Sequence, residues 1–507
     1  MPSSFLIARA RSRALKWSAT ITQRLLAPQD PTAPDVLDAH PLVREWFGRR
    51  LEEMNSDAWR AAHGRVYEHL RDTTHEGRTP TLEDLAPLYQ AIPHGCRARR
   101  HQEALDDIYM ERICRRGADG QIEFYARNQL GAFYSCLVAI AWFFEKPYET
   151  PAVTLTAASR SWVLSEAAFV LRAQGRFAEV LPAQRAALRM NEEAQDWNNA
   201  ASSASNLSQA ELLVGEVAAA RATAEQSVAY ADQSRNEFLI MSNRAVLADA
   251  LHTAGRREEA ERIFADVEER QRMLQPEYPL LYSLRGYKYG DLLLAKGEWA
   301  TARDLASRTL EWVRRQHRLL DIALDMLAIG RAHLGLALEQ VISQLPADPE
   351  RENTRTAQTL LSEAVEGLRA AGQLVDVPFG LLARATFRRS VGDWDGAGRD
   401  LDEVQEIAEP EPMSLYACDI ALERARLAFA RIAAFAPLSG LIDDSPPKPA
   451  PPAAEESPKL AEEARANLST SRELIENCGY HRRDEEPAEL ESVRDGRRCF
   501  ADLPPRV

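Results

Sequence analysis

Cysteine is scarce in this chain of 507 residues. The six, Cys96, Cys114, Cys136, Cys418, Cys478 and Cys499, stand far apart with no CxxC pair. Such spacing excludes a disulfide-stapled secreted domain and points to a reducing, cytoplasmic setting. Long apolar runs are missing as well. The longest, Cys136 to Phe144, is about half of the roughly 20 residues that span a bilayer, so it reads as a buried helix and no membrane association is expected. Positive charge is in deficit, with 62 Lys and Arg against 76 Asp and Glu. An acidic body displaces few counterions from a phosphate backbone, which argues against direct nucleic-acid binding. Five basic residues and no acidic one fall within residues 1–29. This start has the Ser and Arg content of a transit peptide but reads as a surface helix or an extension.

Motifs for chemistry are also absent. No GxxxxGK[ST] loop, HExxH helix, GxSxG elbow or GxGxxG loop occurs, so no catalytic residue, cofactor or metal is assigned. His94, Cys96, His101 and Cys114 lie close in sequence, but their spacing matches no paired zinc knuckle. The segment CGYHRRDEE (Cys478 to Glu486) reads as a helix cap followed by a solvated charge run. Pro446, Pro449 and Pro452 satisfy PxxP spacing within a plain linker.

What the chain does have is helix-forming residues in a repeating frame. Hydrophobic residues make up 45% and aromatics only 7%, a balance that favours packed helices over strands. Gly175, Gly215, Gly255, Gly297 and Gly392 anchor the repeat. Seven residues before them stand Ala168, Ser208, Ala248, Gly290 and Ala385; five after stand Val180, Ala220, Ala260, Ala302 and Ala397. Antiparallel helices approach closely only where small side chains face each other, and glycine supplies the left-handed turn between them. The 95 residues from Gly297 to Gly392 hold two units, with the polar stretch 344–355 as an inserted turn. In ARRHQEALDDIY, Arg99 takes the glycine's place in a degenerate unit over 81–115, and further helices are expected at 55–72 and 128–145.

The segment LADALHTAGRREEAERIF (Leu247 to Phe264) resembles the tetratricopeptide repeat. The fold class expected is therefore all-α, a tetratricopeptide-like solenoid of helical hairpins forming a right-handed superhelix. In that family the first helix of each unit lines a concave groove. Counting back from the glycines places Arg172, Gln209, Asp249, His252, Tyr287, Asp291 and Arg389 in it, as polar side chains in a wet groove that takes a protein or peptide. Tyr278, Tyr282, Tyr287 and Tyr289 form an aromatic cluster, with Tyr289 packed inside beside Gly290.

Several separate segments, among them DAHPLVREWFGRRL, SASNLSQAELLVG and ENCGYHRRDEEPAELE, are similar to the C-terminal half of bacterial NACHT-type (STAND) signal-transducing NTPases. The resemblance implies a winged-helix-like remnant ahead of a repeat sensor, but without a phosphate-binding loop no ATPase activity carries over. The organisation expected is a basic extension (1–29), the winged-helix-like remnant (30–54), degenerate helices (55–150), the repeat array (151–436), a Pro-rich linker (437–458), a final repeat helix and cap (459–491) and a tail (492–507). The function expected is a protein–protein scaffold or sensor rather than an enzyme. The alternatives are the regulatory half of a split NACHT-type NTPase, associating with a separate NTPase, and a helical-repeat enzyme with an unrecognised site.

Overall fold

Glycines punctuate the chain as their spacing predicts. Gly215 has φ +89° and Gly392 φ +90°, and the other three anchors share this left-handed geometry, which a side chain would strain. In each turn the residue after the glycine donates its N–H to the carbonyl five residues back, Glu216 to Glu211 at 2.8 Å and Arg256 to Leu251 at 2.9 Å. These bonds satisfy carbonyls orphaned at the helix end and turn the chain back on itself.

The computed structural model describes residues 41–117, 120, 122–342, 347–441, 452–453 and 455–506. The basic extension, residues 30–40 of the winged-helix-like remnant and residues 442–451 and 454 of the Pro-rich linker, including Pro446 and Pro449, lie outside the described residues. The structure is 78% helical, and among the described residues the strands amount to one short antiparallel pair, Phe144–Lys146 with Thr150–Pro151. Helices α1 (Pro41–Met54), α2 (Ser56–Thr73), α3 (Leu82–Arg97) and α4 (Phe133–Ile140) come first, with a π-helical segment, Ala104–Arg115, between α3 and α4. Arg99 adopts φ +59°, the left-handed turn expected of the residue standing in for glycine. The helix expected over 128–145 is shorter, because the chain leaves α4 through a 3-10 turn into the strand pair.

Seven hairpins follow, each a front helix and a back helix. They are α5 (Ala157–Ala173) with α6 (Phe177–Glu193), α7 (Trp197–Leu213) with α8 (Val217–Ser234), and α9 (Glu237–Thr253) with α10 (Arg257–Leu274). Next come α11 (Ser283–Ala295) with α12 (Trp299–Arg315), α13 (Leu319–Ile342) with α14 (Ala347–Ala370), and α15 (Val377–Val391) with α16 (Trp394–Ala408). The last pairs α17 (Ser414–Ile432) with α18 (Ser457–Cys478), and a short α19 (Glu485–Arg494) follows. Consecutive helices pack on one another throughout, which makes the protein an all-α helical solenoid.

The seams carry the small residues. Ala248 faces Ala260 and Ala385 faces Ala397, all inaccessible to solvent, and the Ser208 hydroxyl donates to the Ala220 carbonyl at 2.7 Å. Gly290 departs from this logic: a Cβ built on it would meet nothing within 4 Å, so close approach does not demand its small size. The stretch 344–355 is also different from the inserted turn expected. Only residues 343–346 separate two 24-residue helices, and α14 begins at Ala347. The added helical turns hold each other, because Asn353 meets His333 Nδ1 at 2.7 Å and donates to Gln340 at 3.1 Å.

The solenoid curls until its ends meet. Gln174, at the first hairpin turn, donates to the Gly372 carbonyl at 2.9 Å, and the Ala178 N–H donates to Glu411 at 3.1 Å. A Cβ on Gly215 would lie 2.7 Å from Cys478 Sγ, and one on Gly255 would lie 2.9 Å from His481. Turns of the first three hairpins are thus packed edge-on against the last two hairpins and the segment that follows.

Candidate binding cavity

A helix presents one face at i, i+3, i+4 and i+7. In the front helices that face falls thirteen, ten, nine and six residues before the closing glycine. It supplies Ser202, Ser205, Asn206 and Gln209 from α7, then Leu284, Tyr287, Lys288 and Asp291 from α11; α5, α9 and α15 contribute in the same phase. With α13 and α17 added, all seven front helices line a single cavity of about 1680 Å³. Tyr480, Arg482 and Arg483, beyond α18, join its wall.

Most charges in this wall are paired. Asp291 is gripped by Arg331 and Arg482, each at 2.8 Å. Burial pushes its pKa up, but the two arginines outweigh burial and hold the carboxyl well below its ordinary range. Asp249 meets Lys288, Arg483 bonds Asp419 at 2.9 Å, and Arg127 bonds Glu166 at 2.7 Å.

Two buried arginines are exceptions. Arg172 is 7% exposed and, among the described residues, has no carboxylate within ion-pairing distance; its Nε has no hydrogen-bond partner. Its guanidinium lies 5.1 Å from the Phe169 ring. Burial lowers its pKa, and the Asp376 charge offsets this only in part. Asp376 is itself pushed up to about 6 by burial, against the pull of Arg172 and Lys288. Arg285, 8% exposed, donates to Ser242 Oγ at 3.1 Å and lies 5.1 Å from the Phe238 ring and 5.5 Å from that of Tyr282.

Of the residues placed in the groove by counting, Arg172, Gln209, Asp249, Tyr287 and Asp291 line the cavity, whereas His252 and Arg389 do not. The phase three residues before the glycine turns toward neighbouring helices instead. His252 is 1% exposed with neither ring nitrogen hydrogen-bonded. It lies 3.9 Å from Asp291, too far for a hydrogen bond, and burial together with Arg482 holds its pKa near about 3, so it is neutral. Arg389 is spent on Glu423 at 2.6 Å. Arg172 shares that phase and still reaches the cavity by running over Phe169.

The picture of solvated groove side chains also needs correction, since Asp249 and Asp291 are ion-paired. So does the solvated charge run after Gly479: Arg482 and Arg483 face the cavity, and Glu486 is 2% exposed between Arg426 and Arg483. The tyrosine cluster divides. Tyr278 and Tyr282 meet Trp312, Tyr289 stacks on Phe264 at 5.3 Å, and Tyr282 and Tyr287 line the cavity, Tyr287 against Phe379 at 5.8 Å. His94 pairs with His63 and His101 with Thr154, so these candidate ligands have separate partners.

Lys288 and Phe379 sit in the same helical phase as the residues found by counting and were open to the same reasoning. Asp376, just ahead of α15, and Arg482, which reaches back 191 residues to Asp291, leave no local signal. Among the described residues, no helix is long and apolar enough to cross a membrane. No protein-family model matches the chain, and no curated protein is significantly similar to it.

Proposed function

We propose that this protein is a binding and sensing array that takes an extended segment of a protein or peptide partner into its central cavity. The observation that carries the reading is the shared phase: the same positions of successive front helices converge on one space. A repeated wall of this kind offers similar contacts at regular intervals, which suits an extended chain. The hairpin logic, with a left-handed glycine between small-residue seams, supports the resemblance to tetratricopeptide arrays. Catalysis is not part of the proposal: Asp249, Asp291, Asp419 and Glu423 are each ion-paired to Lys or Arg. The segments similar to NACHT-type NTPases are the ground for proposing a separate nucleotide-hydrolysing protein as recipient of the signal, with the cytoplasm as its setting.

Selection from a displayed random-peptide library tests the reading. The purified protein is expected to enrich a peptide family, and Ser202→Trp, which projects a large ring into the cavity from α7, is expected to weaken its binding with melting temperature unchanged. Binding unchanged by Ser202→Trp would place the site elsewhere.

A further inference from the structure

The cavity wall is the opposite of the chain as a whole. Twelve Arg and Lys residues line it against eight Asp and Glu, within a protein of net charge −14. The excess is not spread evenly: after the ion pairs are drawn, Arg172 and Arg285 are the nine-tenths-buried cations with no carboxylate in reach among the described residues.

Burying a cation without a partner is expensive, and such a group persists where something else completes it. Asp376 does not complete Arg172, because it stands outside ion-pairing distance, and burial pushes its own carboxyl up to about 6. Each guanidinium is also held in place. Arg172 lies against Phe169, and Arg285 lies close to two aromatic rings with its Nη1 on Ser242. A planar fork fixed in this way matches the two oxygens of a carboxylate or phosphate, and pre-organisation lowers the entropy lost on binding.

We propose that Arg172 and Arg285 are anchor points for oxyanion groups, carboxylate or phosphate, carried by the ligand of the central cavity. The inference rests on the reading of that cavity as a binding site. It names the chemistry of the occupant: a ligand with acidic groups at two separated points, one against the first hairpin and one against the fourth. Tyr287 and Phe379 supply an apolar surface on the same wall.

Thermal melting of the full chain tests it, with sodium acetate and inorganic phosphate as probes against sodium chloride at matched ionic strength. Both anions are expected to raise the wild-type melting temperature. Arg172→Met is expected to melt higher than wild type without added anion, since it removes an unpaired buried charge, and to need at least about tenfold more anion for the same shift. Arg172→Lys, which keeps the charge but not the fork, falls between the two. Arg389→Met, which leaves the buried Glu423 with only the longer Arg426 contact at 3.5 Å, is expected to melt lower than wild type. A stronger response to acetate identifies a carboxylate ligand, and a stronger response to phosphate a phosphorylated one. The proposal is overturned if Arg172→Met destabilises as Arg389→Met does, or if it responds to the anions as wild type does. Anion protection that depends on Arg172, found together with an empty peptide selection, would leave this site standing and remove the peptide reading.

Discussion

Burial rather than charge contact sets the behaviour of several single residues. Asp325 is 2% exposed, accepts from Thr309 at 2.9 Å, and is pushed up to about 8 by burial, with nearby Asp321 adding to the rise. A carboxyl whose folded pKa lies above its unfolded value of about 4 gives stability that is complete below pH 4 and lost as pH rises through 8. Asp325→Asn is therefore expected to match wild type in urea unfolding near pH 4 and to exceed it above pH 8, by on the order of a few kcal/mol. Equal stability at both pH values would show that Asp325 ionises normally. His252 belongs to the same class. It reads as a polar groove residue from its spacing, but a helix face is about 100° wide, and three residues' displacement is enough to move it from cavity to packing.

At the scale of the element, the hairpin was legible because its requirements are local. A left-handed residue and two small ones within thirteen positions leave a mark that any window of the chain can show, and even Arg99 was found by position. The long hairpin of α13 and α14 was not legible in the same way. Its polar residues read as a loop, whereas Asn353 uses that polarity to bridge to α13. Two substitutions measure how much each device contributes. Ala248→Leu forces apart a closed seam and is expected to cost about 1 to 3 kcal/mol, whereas Gln209→Ala, on the cavity wall, is expected to stay within about 0.5 kcal/mol of wild type. If the two cost the same in chemical denaturation, the helix phase is wrong. Among the glycines, Gly297→Ala meets strain alone, since its nearest neighbour is Trp299 at 3.8 Å. Gly215→Ala meets the same strain plus Cys478 at 2.7 Å and Ser414 at 2.8 Å. Gly215→Ala should melt lower, and the reverse order would argue that these ends do not touch.

Across the whole molecule, the contact that joins the fourth hairpin to the C-terminal segment is the pair of Arg482 with Asp291. No period or motif announces it, because it depends on the summed curvature of every hairpin between. Arg482→Ala leaves Asp291 still bonded to Arg331, so it opens the closure without stranding a carboxylate. Hydrogen exchange is expected to speed in α18 and in residues 480–483, with total helix content unchanged. Unaltered protection there would show that other contacts hold the ends.

The meeting of the ends also bears on how such a protein changes over generations. An open stack of hairpins gains or loses a unit freely, since each unit touches only its neighbours. Here the turns at Gly215 and Gly255 must arrive opposite Cys478 and His481, and Arg482 opposite Asp291. One hairpin more or fewer would carry those partners past each other. The number of units is thereby counted by the fold, and duplication, the ordinary way in which repeat arrays lengthen, is closed to the segment between them.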